Sequence, residues 1–141
     1  MIPIAYRANV ANDFPFVYQT FVEGAKTYTY SLMVGKIYYR RYKPIVKNIL
    51  LRSKVLVACL PDDPNTIVGY IIYEYLDNIP IIHWVHTRKM FQKQGIAKEL
   101  CKLINKDFGD TLTMSSHVCK DFYELRKKFN LGFDPFLIYG V

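Results

Sequence analysis

Apolar and polar positions alternate along this chain with two different periods, and the period changes several times between its ends. Apolar residues that recur about every 3.6 positions predict helices, and β-branched or aromatic runs that alternate predict strands. In chain order, the predicted elements are a strand over 2–9, helices over 11–25 and 37–53, strands over 54–60, 66–76 and 79–87, a helix over 94–108, a strand over 111–116, a helix over 121–129 and a closing strand over 135–140. This order is typical of a mixed α/β fold.

Capping residues and prolines refine the predicted helices. Asn12 or Asp13 is expected to cap the first helix, because both side chains accept hydrogen bonds from free N–H groups. Pro44 lies inside the second helix and is expected to perturb it. Asp121 and Glu124 have the spacing of a capping box at the start of the last helix.

Three β runs near the middle of the chain are separated by short turn sequences. The segments PDDPN (61–65) and DN (77–78) have the composition of turns, which predicts a three-stranded antiparallel meander. The helix that follows is expected to bury one face and expose a lysine-rich one. Its predicted buried positions are Ile96, Leu100, Leu103, Ile104 and Phe108.

Length and composition favour one compact domain over residues 1–141, since about half of the 141 residues are apolar. No run approaches the roughly 20 apolar residues of a bilayer span, and the first residues lack the pattern of a signal peptide. We therefore expect a soluble, cytoplasmic protein that does not associate with membranes. The cysteines Cys59, Cys101 and Cys119 form no CxxC pair, which favours reduced thiols over a disulfide framework or a zinc site.

The formal net charge of +7 favours a polyanionic partner, either nucleic acid or a phosphate-bearing cofactor. Basic residues gather in two separate places, residues 35–54 and 124–129, rather than in one continuous stripe. Solvated helix faces explain each of these runs equally well.

The segment QKQGIA, residues 92–97, lies between a predicted strand ending near Thr87 and a predicted helix. The first N–H groups of a helix lack intrahelical partners, and the helix dipole adds positive charge at that end, so this position suits a phosphate or pyrophosphate. A side chain on Gly95 would block a close approach of the ligand, and the small Ala97 gives the same clearance. Neither GxxxxGK[ST] nor GxGxxG occurs in the chain.

QKQGIA has the form Q/R-x-x-G-x-G/A, and VHTRKMFQKQGIAKELC resembles the acyl-CoA-binding motif of the GNAT acetyltransferase superfamily. YRANVANDF resembles the first strand and turn of that family, and DFYELRKKFNLGF resembles its late helix followed by Gly-Phe. The order of elements agrees across nearly the whole chain. The resemblance implies a GNAT-like fold, with a central mixed, mostly antiparallel sheet flanked by about four helices.

The resemblance also implies where acetyl-CoA binds as a cosubstrate. The pyrophosphate would lie on the N–H groups of residues 92–97, and the pantetheine arm would extend along the end of the preceding strand. The N–H of Thr87 would polarise the acetyl carbonyl. The implied cofactor-binding positions are Val85, His86, Thr87, Gln92, Lys93, Gln94, Gly95, Ile96, Ala97 and Lys98.

Attack of an amine on the thioester requires a group that accepts a proton. His83, four residues before Thr87, is the first candidate for this base, since imidazole titrates near neutral pH, and Glu74 in the adjacent strand is the second. A structural role for His83 is the alternative. In a regular strand His83 and His86 would point to opposite faces, so no metal site is expected.

In the GNAT family a tyrosine of the late helix, a few residues before Gly-Phe, often protonates the leaving thiolate. Here Phe129 stands three residues before Gly132, and Tyr123 is the tyrosine in that helix. Tyr123 is therefore the candidate acid, with a packing role as the alternative. The resemblance implies that residues 24–35 and 132–140 build the acceptor site. The aromatic residues of the first segment suit an apolar or planar group. Arg40 and Arg41 either bind an anionic group of the acceptor or, as the favoured alternative, solvate a helix face.

Three functions stay open on this basis. The first is an acetyl-CoA-dependent N-acetyltransferase that transfers the acetyl group directly to a primary amine of unknown identity. The second is an acetyltransferase for aminoacyl-tRNA or another nucleic-acid-linked amine, which the positive charge permits. The third is a CoA-binding or regulatory module without catalysis. Exposed sheet edges permit a homodimer.

Overall fold

The computed structural model describes residues 2–120 and 122–140. The predicted cap Asp121 lies outside the described residues. The elements are β1 (Ala5–Ala8), α1 (Phe14–Tyr28), α2 (Gly35–Arg52), β2 (Lys54–Leu60), β3 (Asp63–Leu76), β4 (Ile79–Thr87), α3 (Ile96–Ile104), β5 (Thr113–Ser115), α4 (Phe122–Lys128) and β6 (Leu131–Phe133). Single 3₁₀ turns occupy Ala11–Asp13, Lys89–Phe91 and Pro135–Tyr139. Among the described residues, no helix has the length and apolar character needed to cross a membrane.

The six strands form one sheet in the order β1-β2-β3-β4-β5-β6. Strands β1 to β4 pair antiparallel with one another, whereas β5 and β6 each run parallel to the strand before them. The turn between β3 and β4 places Asp77 and Asn78 at φ 47° and 68°, a left-handed pair that these residue types tolerate. The predicted antiparallel meander and the mixed, mostly antiparallel sheet are confirmed.

Helices cover both faces of the sheet. On one face α1 and α2 pack Phe21 and Tyr38 against Trp84 and neighbouring strand residues. The opposite face receives Ile96 and Leu100 of α3 in a second apolar cluster. These residues are at most 3% exposed, so each helix contributes a buried stripe of the kind its 3.6-residue pattern predicts. The site described below lies where α3 meets the end of β4.

The predicted closing strand at residues 135–140 is wrong, because Pro135–Tyr139 forms a 3₁₀ turn. Asp134 starts this turn by accepting a hydrogen bond from the N–H of Phe136 at 2.9 Å. The last strand is instead β6 (Leu131–Phe133), which pairs with β5. Its three residues include a glycine and are too short to show an alternating pattern.

Several helix details also differ from the prediction. α2 runs through Pro44 without a break. The side chain of Asp13 makes no cap to α1, because it pairs with Arg7 at 2.7 Å and accepts from the N–H of Val10. α3 ends at Ile104, and Leu103, predicted to be buried, is 50% exposed.

Candidate functional site

The edge of β4 is open where the pantetheine arm was predicted. β4 pairs with β3 as far as Thr87, which lies opposite Gly69. On its other side β4 pairs with β5 at Ile81 and Ile82, and the N–H of Ser116 adds one bond to the carbonyl of Ile82 at 3.2 Å. In the described part of the chain, no strand covers the β5-facing edge of residues 85–87. Backbone groups along such an edge can pair with an extended ligand.

The start of α3 is an exposed cluster of backbone donors. Lys93 and Gly95 both adopt positive φ, 64° and 81°, which turns the chain sharply from β4 into the helix. Glu99 makes the first intrahelical bond, from its N–H to the carbonyl of Gly95 at 2.9 Å. The N–H groups of Ile96, Ala97 and Lys98 therefore have no intrahelical acceptor.

Gly95 leaves the space above these donors empty. A Cβ added there would meet no atom within 4 Å outside its chain neighbours. Because the helix dipole places partial positive charge at the same point, the geometry suits an anion close to the backbone. At residues 92–97, where the sequence predicts an anion site, the structure has N–H groups without intrahelical acceptors and free space beside Gly95.

Gln92 connects this loop to two other parts of the molecule. Its amide donates to the carbonyl of Thr87 at 3.1 Å, and its Oε1 accepts from Nζ of Lys120 at 3.2 Å. Lys120, which the sequence analysis did not identify, thus brings a further cation to the site. Lys98 is exposed, and its Nζ lies 5.9 Å from the ring centroid of Phe129. Gln94 buries its Oε1 without a hydrogen-bond partner among the described residues.

The side chains of Val85 and His86, in the open part of β4, lie on opposite faces of the sheet. Val85 packs against the cluster beneath α3. His86 stacks on Tyr70 at 5.3 Å and contacts the edge of Phe16 at 5.8 Å. Burial and the nearby guanidinium of Arg88 lower the pKa of His86 to about 4. His86 is therefore neutral at pH 7 and acts as a packing residue.

His83 and Glu74, the two candidate bases, are in direct contact. His83 is 0% exposed, and its Nε2 lies 2.5 Å from Oε2 of Glu74. Its Nδ1 lies 2.7 Å from the hydroxyl of Ser116. Glu74 also accepts from Nε of Arg52 at 3.0 Å. Burial lowers the pKa of His83, and this effect outweighs the opposing effect of Glu74. The His83 ring is therefore neutral at neutral pH.

The hydrogen bonds continue beyond Ser116 toward α2. The Ser116 hydroxyl lies 2.6 Å from Nδ1 of His117, and the Nε2 of His117 makes a very short hydrogen bond with the hydroxyl of Tyr42. Burial lowers the pKa of His117 to about 3 and raises that of Tyr42 well above its ordinary value. We call the run from Tyr42 through His117, Ser116 and His83 to Glu74 the polar chain.

The polar chain depends on a β-bulge at His83. Ile72 lies opposite Trp84 and Tyr73 opposite Ile82, so His83 is an extra residue in β4. As a result the consecutive His83 and Trp84 both lie beside His117, with ring centroids 6.4 Å and 5.9 Å away. His86 packs on the same side, against α1, so the prediction that it faces away from His83 is wrong. The bulge breaks the alternation on which that prediction relied.

Tyr42 also forms part of a cleft between α2 and the C-terminal turn. The cleft has a volume of about 170 Å³ and is lined by Tyr30, Met33, Tyr38, Arg41, Tyr42, Ile45, Ile138 and Tyr139. We call it the aromatic cleft. Both segments that the sequence resemblance assigned to the acceptor site contribute to it. Arg41 lies in its wall, whereas Arg40 does not line it.

Tyr123 stands apart from the polar chain. It lies in the first turn of α4, is 66% exposed, and its ring contacts Phe122 at 5.7 Å between centroids. Lys120, three residues earlier, contacts Gln92 of the loop before α3. The segment just before α4 therefore contacts that loop.

The sequence analysis missed Tyr42, Ser116, His117 and Arg52 as site residues. The one available signal was the polar segment SSH (115–117) at the end of a strand, where an apolar residue is usual. Among residues 2–120 and 122–140, no group of three or more His, Cys, Asp or Glu side chains could hold a metal ion.

No protein-family model and no curated protein matches this sequence, so the comparison is with solved structures. PaiA N-acetyltransferase from Thermoplasma acidophilum, in complex with coenzyme A, gives a TM-score of 0.53 at 16% identity over 75% of this chain and 74% of that one. An acetyltransferase of the GNAT family from Staphylococcus aureus Mu50 gives 0.54 at 17% identity over 72% and 64%. Ribosomal-protein-alanine N-acetyltransferase from Brucella melitensis gives 0.50 at 13% identity over 94% and 80%.

The chain therefore has the fold of the GNAT acetyltransferases, and the resemblance drawn from residues 92–97 is confirmed at the level of the fold. At these identities the likeness concerns architecture.

Proposed function

We propose that this chain is an acetyl-CoA-dependent N-acetyltransferase that transfers the acetyl group directly to a primary amine, and that residues 1–141 form one GNAT-like domain. The observation that carries the proposal is the pairing of two features on a GNAT fold. The edge of β4 is open at residues 85–87, and the unobstructed helix start at Gly95 follows at once. The PaiA neighbour binds coenzyme A on the same fold.

In this proposal the pyrophosphate of acetyl-CoA binds the backbone N–H groups between Gln92 and Lys98. The side chains of Lys93, Lys98 and Lys120 add positive charge around it, and Gln92 fixes the loop against Thr87. The pantetheine arm pairs with the open edge at residues 85–87. These contacts are mostly to backbone, so the shape of the loop matters more than most of its side chains.

The acetyl carbonyl would lie at the end of the open edge, where the N–H of Thr87 stabilises the charge that develops on oxygen. The amine would enter from the aromatic cleft. Tyrosine rings and Met33 suit an apolar or aromatic body beside the amine, and Arg41 suits a carboxylate or phosphate on the same molecule. We therefore propose an acceptor that combines a primary amine with an aromatic or apolar group.

His83 and Glu74 are proposed as the pair that receives the proton of the amine. The depressed pKa of His83 favours the neutral imidazole, which is the form that accepts a proton. Tyr123 is proposed as the donor that protonates the departing thiolate. Its exposure leaves the hydroxyl free to approach a ligand on the side where α4 meets the loop before α3.

Calorimetric titration with acetyl-CoA tests the cofactor site in the wild type and in Gly95→Trp. We expect saturable binding to the wild type and none to the variant, because the indole would fill the space above the helix start. Gly95→Ala is the control for the strain of a side chain at φ 81°, and it should retain more binding than Gly95→Trp because its Cβ has free space. Gly35→Trp is the control for an indole at a helix start. Gly35 also opens a helix, and a Cβ there meets no atom within 4 Å, so the control should bind normally.

Thiol release in the presence of single amines then tests the reaction. The panel contains 2-phenylethylamine, hexylamine, spermidine, glucosamine and an alanine-starting peptide. Transfer to at least one amine is expected, with 2-phenylethylamine ahead of the polar members. A folded wild type that does not bind acetyl-CoA contradicts the proposal at the cofactor site, and binding without transfer to any amine contradicts it at the reaction.

A further inference from the structure

We propose that the polar chain conducts a proton from an amine in the aromatic cleft to Glu74. The inference rests on the proposed function. It adds a route for the proton between the amine and the pair His83–Glu74, which the amine does not contact. His83 is 0% exposed, Ser116 0%, His117 1% and Tyr42 3%. His83 therefore has no exposed surface that a substrate in the cleft could contact directly.

The carboxylate of Glu74, at one end of the polar chain, sets the direction of every hydrogen bond in it. A carboxylate only accepts, so Nε2 of His83 must donate to Glu74. The neutral ring then accepts at Nδ1, which makes the hydroxyl of Ser116 the donor. Ser116 in turn accepts from Nδ1 of His117, whose Nε2 accepts from the hydroxyl of Tyr42. All four bonds point from the cleft toward Glu74.

Because all four hydrogen bonds of the polar chain point the same way, a proton can be relayed along it without the movement of any heavy atom. The ammonium gives a proton to the oxygen of Tyr42, and Tyr42, His117, Ser116 and His83 each pass their own proton to the next group. The carboxylate of Glu74 takes the last one. The products are a neutral amine and a neutral carboxylic acid, with both histidines in their other tautomer. After the amide leaves the cleft, the same transfers in reverse carry the proton of Glu74 back to the oxygen of Tyr42, which releases a proton to water, and both histidines regain their first tautomer.

Both ends of the chain are placed for this role. Tyr42 lies in the wall of the aromatic cleft, and its partner His117 lies 5.9 Å from Trp84, the residue just before the open edge of β4. At the other end, the Glu74 side chain keeps 18% of its surface exposed. Arg52 holds Glu74 at 3.0 Å and also donates to the carbonyl of Ile138 in the cleft wall.

The first test is independent of activity. Nitrogen-15 NMR of the imidazole rings in the wild type at neutral pH reports which nitrogen carries the proton, and the chain has three histidines to assign. We expect the Nε2–H tautomer for His83 and the Nδ1–H tautomer for His117. The opposite tautomer at either ring would reverse a bond of the chain and overturn the proposal.

The second test removes the middle hydroxyl. Ser116→Ala should lower kcat for the fastest amine of the panel by about 100-fold or more, as loss of proton transfer does. Acetyl-CoA affinity should stay within about twofold, because Ser116 is outside the proposed cofactor site. Ser53→Ala is the matched control, since it removes a buried hydroxyl that has no partner among the described residues. It should leave kcat unchanged.

A structural role for Ser116 would lower the melting temperature but would not change the solvent isotope effect. The proposal predicts that kcat of the wild type falls in deuterated water with a curved proton inventory, and that the dependence is linear in the variant. Tyr42→Phe keeps the ring and removes the first hydroxyl of the polar chain, so it should lower kcat and change the proton inventory as Ser116→Ala does. It replaces Ser116→Ala in the test if that variant does not fold. An active wild type with unaffected variants overturns the relay alone, whereas a wild type that acetylates no amine overturns the relay together with the function.

Discussion

At the scale of the residue, the buried histidines couple the stability of the fold to pH. The pKa of His117 is lowered to about 3, first by burial and then by His83, whereas an unfolded histidine titrates near 6.5. The unfolded chain therefore binds more protons below pH 6.5, so the stability from the neutral ring is present above that value and is lost as pH falls toward 3.

We expect the free energy of unfolding to decrease between pH 7 and pH 5, with about 2 kcal/mol of the loss due to His117. Denaturant unfolding at half-unit pH steps measures this. His117→Gln should have a smaller slope against pH, with a remaining slope from His86, whose pKa is also lowered, to about 4. A wild-type stability that does not change over this range would show that His117 titrates normally.

At the scale of the element, the separation of β3 and β4 depends on a glycine. A Cβ on Gly69 would lie 2.6 Å from the carbonyl oxygen of His86, which is backbone and cannot rotate away. Gly69 is also paired with Thr87, the residue proposed to bind the acetyl carbonyl. A side chain here would push the end of β4 away from β3.

Gly69→Ala should therefore destabilise the protein by about 2 kcal/mol, as overpacked sites do. Acetyl-CoA should also bind more weakly, because the strand proposed to pair with its pantetheine arm is displaced. Gly35→Ala is the control: its Cβ has free space at a helix start, and it should not destabilise the protein. Unfolding curves and calorimetry on both variants measure the two effects. A Gly69→Ala protein as stable as the wild type would contradict the close contact.

The elements that could be predicted from sequence are those with a strong local pattern. Strands β2, β3 and β4 have long β-branched runs, and Asp77 and Asn78 form the turn between β3 and β4. β6 could not be predicted, since three residues carry no period, and the apolar run after it was assigned to a strand although Pro135 and Asp134 start a 3₁₀ turn there. Local patterns do not show which of two short segments finds a neighbouring strand.

The same distinction applies to the site. Gly95 and the helix start are consecutive in sequence, so their geometry could be predicted from one motif. The polar chain joins β3, β4, the segment after β5 and α2, and its Tyr42–His117 bond spans 75 residues. It further depends on a one-residue bulge at His83, which reverses the side-chain alternation of β4. No pattern in the sequence fixes such a bulge.

At the scale of the whole molecule, the charge of +7 is compatible both with a nucleotide cofactor and with a nucleic acid. A cofactor uses a few cations at one place, here those around Gln92, and binds the folded state at a single site. A nucleic acid instead contacts many cations along its length, and its binding weakens steeply with salt. The shift of the melting temperature by each ligand distinguishes the two.

At 100 times its dissociation constant, acetyl-CoA should stabilise the fold by about 2.7 kcal/mol. For a domain of this size that raises the melting temperature by about 10 °C. Gly95→Trp should show no shift, and a single-stranded RNA should give none at 0.2 M salt. A shift with RNA and not with acetyl-CoA would favour a nucleic-acid partner over the proposed cosubstrate. A shift with acetyl-CoA in a protein that acetylates no amine would favour a CoA-binding module, because stabilisation requires the site at Gly95 but not the polar chain.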